Sequence, residues 1–140
     1  MKIKIKKTHP NAVIPQYARE GDAGMDLTCV CAELDDKYDI LKCDTGLAFE
    51  IPKGYVGLLF PRSSVYKKDL LLSNSVGVID SGYRGSVSFN FRLTGLYELY
   101  RVGDRVGQII IMPYPEIEWE VTDKLSETER GEGGYGSTGN

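Results

Sequence analysis

The chain has 140 residues, of which 41% are hydrophobic, one domain's worth with enough apolar mass for a single core. Its 17 Lys and Arg against 20 Asp and Glu leave a net charge of −3, so no global basic surplus draws it to duplex nucleic acid or anionic lipid. One His rules out a multi-histidine metal site within a single chain.

At the N-terminus, Ile3 and Ile5 alternate with lysines, which predicts a strand with one buried face. This stretch has charge but no apolar h-region, so it is not read as a signal peptide. No apolar run approaches the roughly 18 residues of a membrane helix. His9, Pro-flanked in basic surroundings, is expected on the solvated surface. Cys29 and Cys31 form a C-x-C pair that a strand would place on one face, a pattern that can suggest a metal. With only Cys43 besides, buried reduced thiols in a cytosolic protein are the reading adopted.

Leu47, Phe49 and Ile51 alternate before a Pro52-Lys53-Gly54 turn. Val56 to Phe60 is an apolar strand. Ser63 to Leu70 is expected to make two helical turns with Ser63 or Ser64 as N-cap. Val87, Phe89, Phe91 and Leu93 alternate with polar residues. Ile109 to Met112 is continuously apolar, so that strand is expected to be covered on both faces. Ile117, Trp119 and Val121 alternate with Glu116, Glu118 and Glu120, a last predicted strand. Five of the eleven residues Arg130 to Asn140 are Gly, which by composition reads as a disordered tail. Many short strands with turns between them indicate an all-β sandwich, jelly roll or barrel.

Four segments offer chemistry. Pro61-Arg62-Ser63-Ser64 combines a guanidinium, two hydroxyls and a helix start, suited to phosphate or simply to capping. Gly77 to Gly85 (GVIDSGYRG) places Asp80 at a turn, as a turn former or a general base. Gly103 to Gln108 (GDRVGQ) opens the Ile109 strand; Asp104 and Arg105 read as a turn or ion pair. Gln108 there is a ligand contact or a backbone partner. Arg130 to Gly139 (RGEGGYGSTG) sets an Arg, an aromatic and a Ser-Thr pair among glycines that allow close backbone approach. It lacks the ending and context of a Walker loop and suits a mobile lid over a nucleotide.

With AGMDL at Ala23 to Leu27 before them, these segments stand in an order that resembles the trimeric dUTP pyrophosphatases, the dUTPase family. The resemblance covers nearly the whole chain. It implies a jelly-roll-like (β-clip) fold over residues 1–129 with one short helix. It implies a homotrimer whose active sites lie between subunits, and a flexible arm, 130–140, closing over a neighbour's site. It also implies Mg²⁺-dependent hydrolysis of dUTP to dUMP and pyrophosphate, which limits uracil in DNA and supplies dUMP for dTTP synthesis. Asp80 would orient the attacking water, and Tyr83 would pack under the deoxyribose and exclude a 2′-hydroxyl. Asn74 and the backbone of Gly77, Val78 and Ile79 would read uracil. Arg62, Ser63, Ser64 and Gln108 would hold the triphosphate, and Asp26 would touch Mg²⁺ through water. Tyr135 would stack on uracil while Arg130, Gly136 and Ser137 cover the phosphates. No nucleic acid or membrane partner is implied, and the setting is cytoplasmic, nuclear or, for a viral or phage chain, the host cytoplasm.

The chain departs from the family in Tyr135 for Phe, Met25 for Tyr, and Gly107 for Ala, the last expected to loosen its strand start. Ala32 to Lys42 follows no family pattern. A dCTP deaminase would need a Glu base, and Gly77 to Gly85 holds none. A non-catalytic trimeric binder is the remaining alternative, opposed by intact Asp80, Arg130 and Gln108.

Overall fold

The computed structural model describes residues 1–134; Tyr135, Gly136 and Ser137 fall outside the described residues. The chain folds into β1 (Lys4–Lys7), β2 (Met25–Thr28), β3 (Cys31–Asp35), β4 (Ile40–Asp44) and β5 (Leu47–Glu50). It continues as β6 (Tyr55–Pro61), β7 (Leu70–Leu72), β8 (Gly77–Ile79), β9 (Ser88–Leu93) and β10 (Arg105–Pro113). One sheet has the order β2-β10-β6-β8, another β3-β4-β9-β7, and β1 pairs with β5. All pairings are antiparallel. The molecule has the all-β architecture expected from its many short strands and the jelly-roll-like form that the resemblance implies.

Alternation puts one face of each sheet inward. Leu27, Leu59 and Ile109 come from the first sheet, and Leu41, Cys43, Phe89 and Phe91 from the second, each 4% exposed or less. Burying a large side chain of this kind is worth about 1.5–3 kcal/mol. Phe89 and Phe91 point the same way with ring centroids 6.0 Å apart, and Tyr100 tilts against Phe91 at 5.2 Å.

Gly107 is buried in β10, where an added Cβ would collide with the Phe89 ring and stand 2.9 Å from the Phe60 carbonyl oxygen. The missing side chain is thus the slot that Phe89 fills. The ladder between β10 and β2 does shift register here, between Arg105 and Gly107. Val106 is the extra residue, a bulge that increases local twist.

Several expectations are corrected. Ser63–Lys67 is a single 3-10 helix whose N-cap is Arg62, with no side-chain cap bond, and Leu70 already opens β7. Asp69 is tied elsewhere: its carboxylate accepts from the backbone N–H of Tyr97 and Glu98 at 3.0 and 3.1 Å. That loop anchor takes the chain out of helix and into β7. Of Ile109 to Met112 only Ile109 is buried, and Met112 is 44% exposed. Ile117, Trp119 and Val121 form no strand: they are exposed, and no element follows β10 among the described residues. Pro113 and Pro115 lack the N–H groups a ladder needs, and no strand of the described residues lies beside the segment. His9 is half-buried, with its Nδ1 accepting from the Asn11 N–H at 3.2 Å. Cys29 lies between β2 and β3 and is fully buried, whereas Cys31 opens β3 half-buried. The two thiols do not share a strand face; the Cys29 thiol donates to the Cys31 carbonyl at 3.3 Å. All three thiols are unpaired by disulfide. No helix among the described residues is long and apolar enough to cross a membrane.

Candidate active site

The bulge at Val106 builds one half of the site. On a regular strand, Arg105 and Gln108 would face opposite ways. Here Gln108 lies opposite Asp26, and Arg105 lies opposite Thr28, two residues from Asp26 and on its face. Both side chains therefore turn toward Asp26. Across β10, Gln108 also faces Phe60 of β6, and β6 delivers Arg62 just beyond its end. Asp26 receives both arginines: Arg62 Nε donates to Oδ1 at 3.1 Å, and Arg105 Nη1 to Oδ2 at 3.0 Å. Two cations on one carboxylate leave one positive charge in surplus.

Among the described residues, Arg62 uses only its Nε. Its two Nη amino groups remain in the fork geometry that suits a phosphate. Ser63 and Ser64 follow in the 3-10 helix. The Gln108 carboxamide donates to the Pro61 carbonyl at 3.3 Å, and its oxygen lies so close to Gly24 that a Cβ there would collide with it. A cavity of about 710 Å³ opens on this cluster, lined by Asp26, Arg105 and Gln108 and walled by residues 13–18. The part of that wall formed by Gln16 and Tyr17 is not legible from sequence, because nothing marks an irregular N-terminal stretch as facing β2 and β10. Behind Arg62 lies Tyr100, 5% exposed. Its hydroxyl has no hydrogen-bond partner among the described residues. Burial pushes its pKa up, with the Arg62 charge opposing.

The other half surrounds β8. Gly77, Val78 and Ile79 pair with Leu59, Leu58 and Gly57 of β6. β8 is an edge strand, so its outward N–H and C=O groups have no ladder partner. Gly77 is buried with no room for a side chain: a Cβ would stand 3.0 Å from Leu59 Cβ. Asn74 is exposed in the loop that carries the chain from β7 to β8. Asp80 follows β8 in an exposed turn closed by Tyr83 N–H donating to the Asp80 carbonyl at 3.1 Å. The Tyr83 hydroxyl donates to the Ser86 carbonyl at 3.1 Å, leaving the ring 44% exposed. A small cavity of about 180 Å³ lies between Val78, Asp80, Tyr83 and Ser88. Arg84 turns back, donating to the carbonyls of Ser81 and Tyr83 at 2.7 and 2.8 Å.

The two halves do not meet within one chain. In the antiparallel register Asp80 falls just past the Gly57–Ile79 pair, level with Val56, while Arg62 lies beyond the opposite end of β6. At the rise of a strand that separation is roughly 20 Å. Arg130 stands apart from both, exposed, with its Nε donating to the Gly133 carbonyl at 2.9 Å.

The dUTPase family model matches residues 10–139. The chain is 42% identical to the deoxyuridine 5′-triphosphate nucleotidohydrolase of Escherichia phage T5, over 98% of each chain. It is 40% identical to that of a Picosynechococcus strain, over 99% of each. Its fold superposes on the dUTPase of Staphylococcus bacteriophage 80alpha, solved with dUpNHpp, with a TM-score of 0.85 and 26% identity over 99% of each chain. A motif order legible in the sequence, a strand register that brings the first four of those motifs to two pockets, and full-length relatives thus agree: the chain belongs to the dUTPase family.

Proposed function

We propose that this chain performs the family's hydrolysis of dUTP to dUMP and pyrophosphate at sites shared between three copies of itself, with Asp80 orienting the attacking water. The observation that carries this reading is the separation along β6. A water bound to Asp80 must reach the α-phosphorus while Arg62 and Gln108 hold the same triphosphate. A distance of roughly 20 Å within one chain is too long for that, so the two halves of a site come from different copies. Closed symmetric assembly supplies that convergence. The exposed Ile117, Trp119 and Val121 are apolar surface that a second copy would cover.

The outward edge of β8 offers backbone donors and acceptors to the uracil edge, with Asn74 beside it. Tyr83 places its half-exposed ring under the deoxyribose, where it leaves no space for a 2′-hydroxyl. Arg62, Ser63, Ser64 and Gln108 hold the phosphates. In-line displacement at phosphorus is mostly positioning and charge neutralisation, so Asp80 and these groups suffice without a covalent nucleophile. Residues 130–140 act as a closing arm, with Tyr135 over the base and Arg130, Gly136 and Ser137 over the phosphates.

The donor set fits Mg²⁺ in one specific way. No group of three His, Cys, Asp or Glu residues able to cage a metal exists among the described residues. Both Asp26 oxygens already accept from arginines. A Mg²⁺ that retains its waters and rides on substrate phosphates needs no cage, and Asp26 would reach it through water. Such an ion draws charge from the phosphates. Unpaired thiols accord with a reducing compartment, cytoplasmic, nuclear or host-cytoplasmic.

The test is pyrophosphate release from dUTP, dTTP, dCTP and UTP, with Mg²⁺ or with EDTA. dUTP with Mg²⁺ is expected to be far the fastest. Equal rates on UTP would remove the role of Tyr83, and full rates in EDTA would remove Mg²⁺.

A further inference from the structure

We propose that Arg105 is a positioning residue for the triphosphate: by occupying Oδ2 of Asp26 it keeps Arg62 bound through Nε alone, with its Nη fork turned to the phosphates. This rests on the phosphate role given to Arg62 above.

Carboxylate and guanidinium pair most strongly fork to fork, two parallel N–H···O bonds. Asp26 and Arg62 do not do this. They share one bond, Nε to Oδ1 at 3.1 Å, because the second oxygen is taken by Arg105 at 3.0 Å. Without Arg105, both Asp26 oxygens would be open to Arg62, and the fork that suits a phosphate would close on the carboxylate. The Arg105 cation also converts a neutral pair into a cluster with surplus positive charge, facing a cavity that Arg105 itself lines.

A stability role does not account for this arrangement. The Arg105 side chain is 57% exposed, and an ion pair so open to water contributes little. Yet β10 breaks its ladder register next to Arg105, and that break alone puts Arg105 on the face of Asp26. Bulges re-aim side chains beside active sites, and here the re-aimed group is Arg105.

The experiment uses the full chain and titrates α,β-imido-dUTP with Mg²⁺, and dUMP, by calorimetry, with thermal melting as the fold control. Arg105→Ala is expected to weaken the imido analogue about tenfold, the scale of one charge-assisted bond, with dUMP affinity and melting temperature unchanged. Arg105→Lys, which keeps a cation on Oδ2, is expected to recover most of that loss. Should Arg105→Ala fold poorly, Arg105→Gln keeps a donor of similar length and is held to the same comparison against Arg105→Lys. Combined with Arg62→Ala, Arg105→Ala is expected to add nothing. Additive losses would overturn the route through Arg62, making Arg105 an independent contact. Equal loss for dUMP would overturn the phosphate-specific role. An Arg62→Ala chain that binds the imido analogue normally would overturn the inference together with the phosphate reading beneath it, which the other outcomes leave standing.

Discussion

Asp26 and Arg62 meet through a single hydrogen bond, Nε to Oδ1 at 3.1 Å, with each side chain little more than a quarter exposed. The geometry anchors the guanidinium by its inner nitrogen and leaves its outer edge for a ligand. Arg62→Lys has one ammonium for both tasks and no planar fork. The expected result in steady-state kinetics is a KM for dUTP raised about tenfold, with a melting temperature close to that of the parent.

Asp80 lies in an exposed turn whose closure uses backbone atoms, Tyr83 N–H to Asp80 carbonyl. Its carboxylate is therefore dispensable for the fold. Asp80→Asn is expected to bind α,β-imido-dUTP with unchanged affinity and to lose about 10²–10⁴ in kcat, the usual worth of a positioned base. Single-turnover measurements separate this from slow product release. Near-parental turnover would remove Asp80 as the base.

Among the described residues the strands end at Pro113 and Arg130 makes only a local bond to Gly133. Ending the chain at Glu129 is therefore expected to leave the urea midpoint unchanged and cut dUTP turnover by at least about tenfold. A truncated chain that melts early would make the segment structural.

Gly107 and Phe89 occupy one volume between them. Gly107→Ala is expected to cost about 1–3 kcal/mol, the range for overpacking a dense core. Phe89→Leu in the same chain is expected to return part of it, because the shorter side chain withdraws from the new methyl. Urea midpoints of the two single variants and the double close the cycle; a neutral Gly107→Ala would mean that the ring shifts freely.

Cys43 and Tyr100 set an alkaline limit. The hydrogen bond it donates to Cys29, together with burial, holds the Cys43 thiol protonated well above its ordinary 9.0. Burial likewise raises Tyr100 above 10.0. Once unfolded, both groups lose protons at their ordinary values, so above about pH 9 the unfolded state binds fewer protons and stability falls as pH rises. Urea midpoints are expected to drop beyond about pH 9. Under native conditions a thiol reagent is expected to reach half-buried Cys31 before Cys29 or Cys43.

The sequence carried much of this, for physical reasons. Side-chain alternation reports a half-buried strand directly, and so Leu47 to Glu50 and Ser88 to Leu93 were legible. Alternation also marked Ile117 to Val121, but it reports only that one face seeks cover, and whether the same chain supplies it is a property of the fold. The motif order singles out Asp80, Arg62 and Gln108 as candidates. Arg105, read as part of a turn or ion pair with Asp104, is not placed beside Asp26 by sequence, because residues three apart on a strand are read as facing opposite ways and a bulge leaves no mark in composition. The Gln16–Tyr17 wall escaped because irregular backbone has no period to read.

The length of β6 between Val56 and Arg62 bears on how damage to this enzyme is inherited through its assembly. If Asp80 and Arg62 serve one nucleotide from two copies, a chain broken at one of them can be complemented by a chain broken at the other. Asp80→Asn and Arg62→Ala chains, each inactive alone, would on unfolding and co-refolding regain intact sites at roughly one in four under random assortment. The remaining sites would carry one or both lesions. A defective copy would then impair a neighbour's site as well as its own, and dilution that parts the copies would silence even flawless chains.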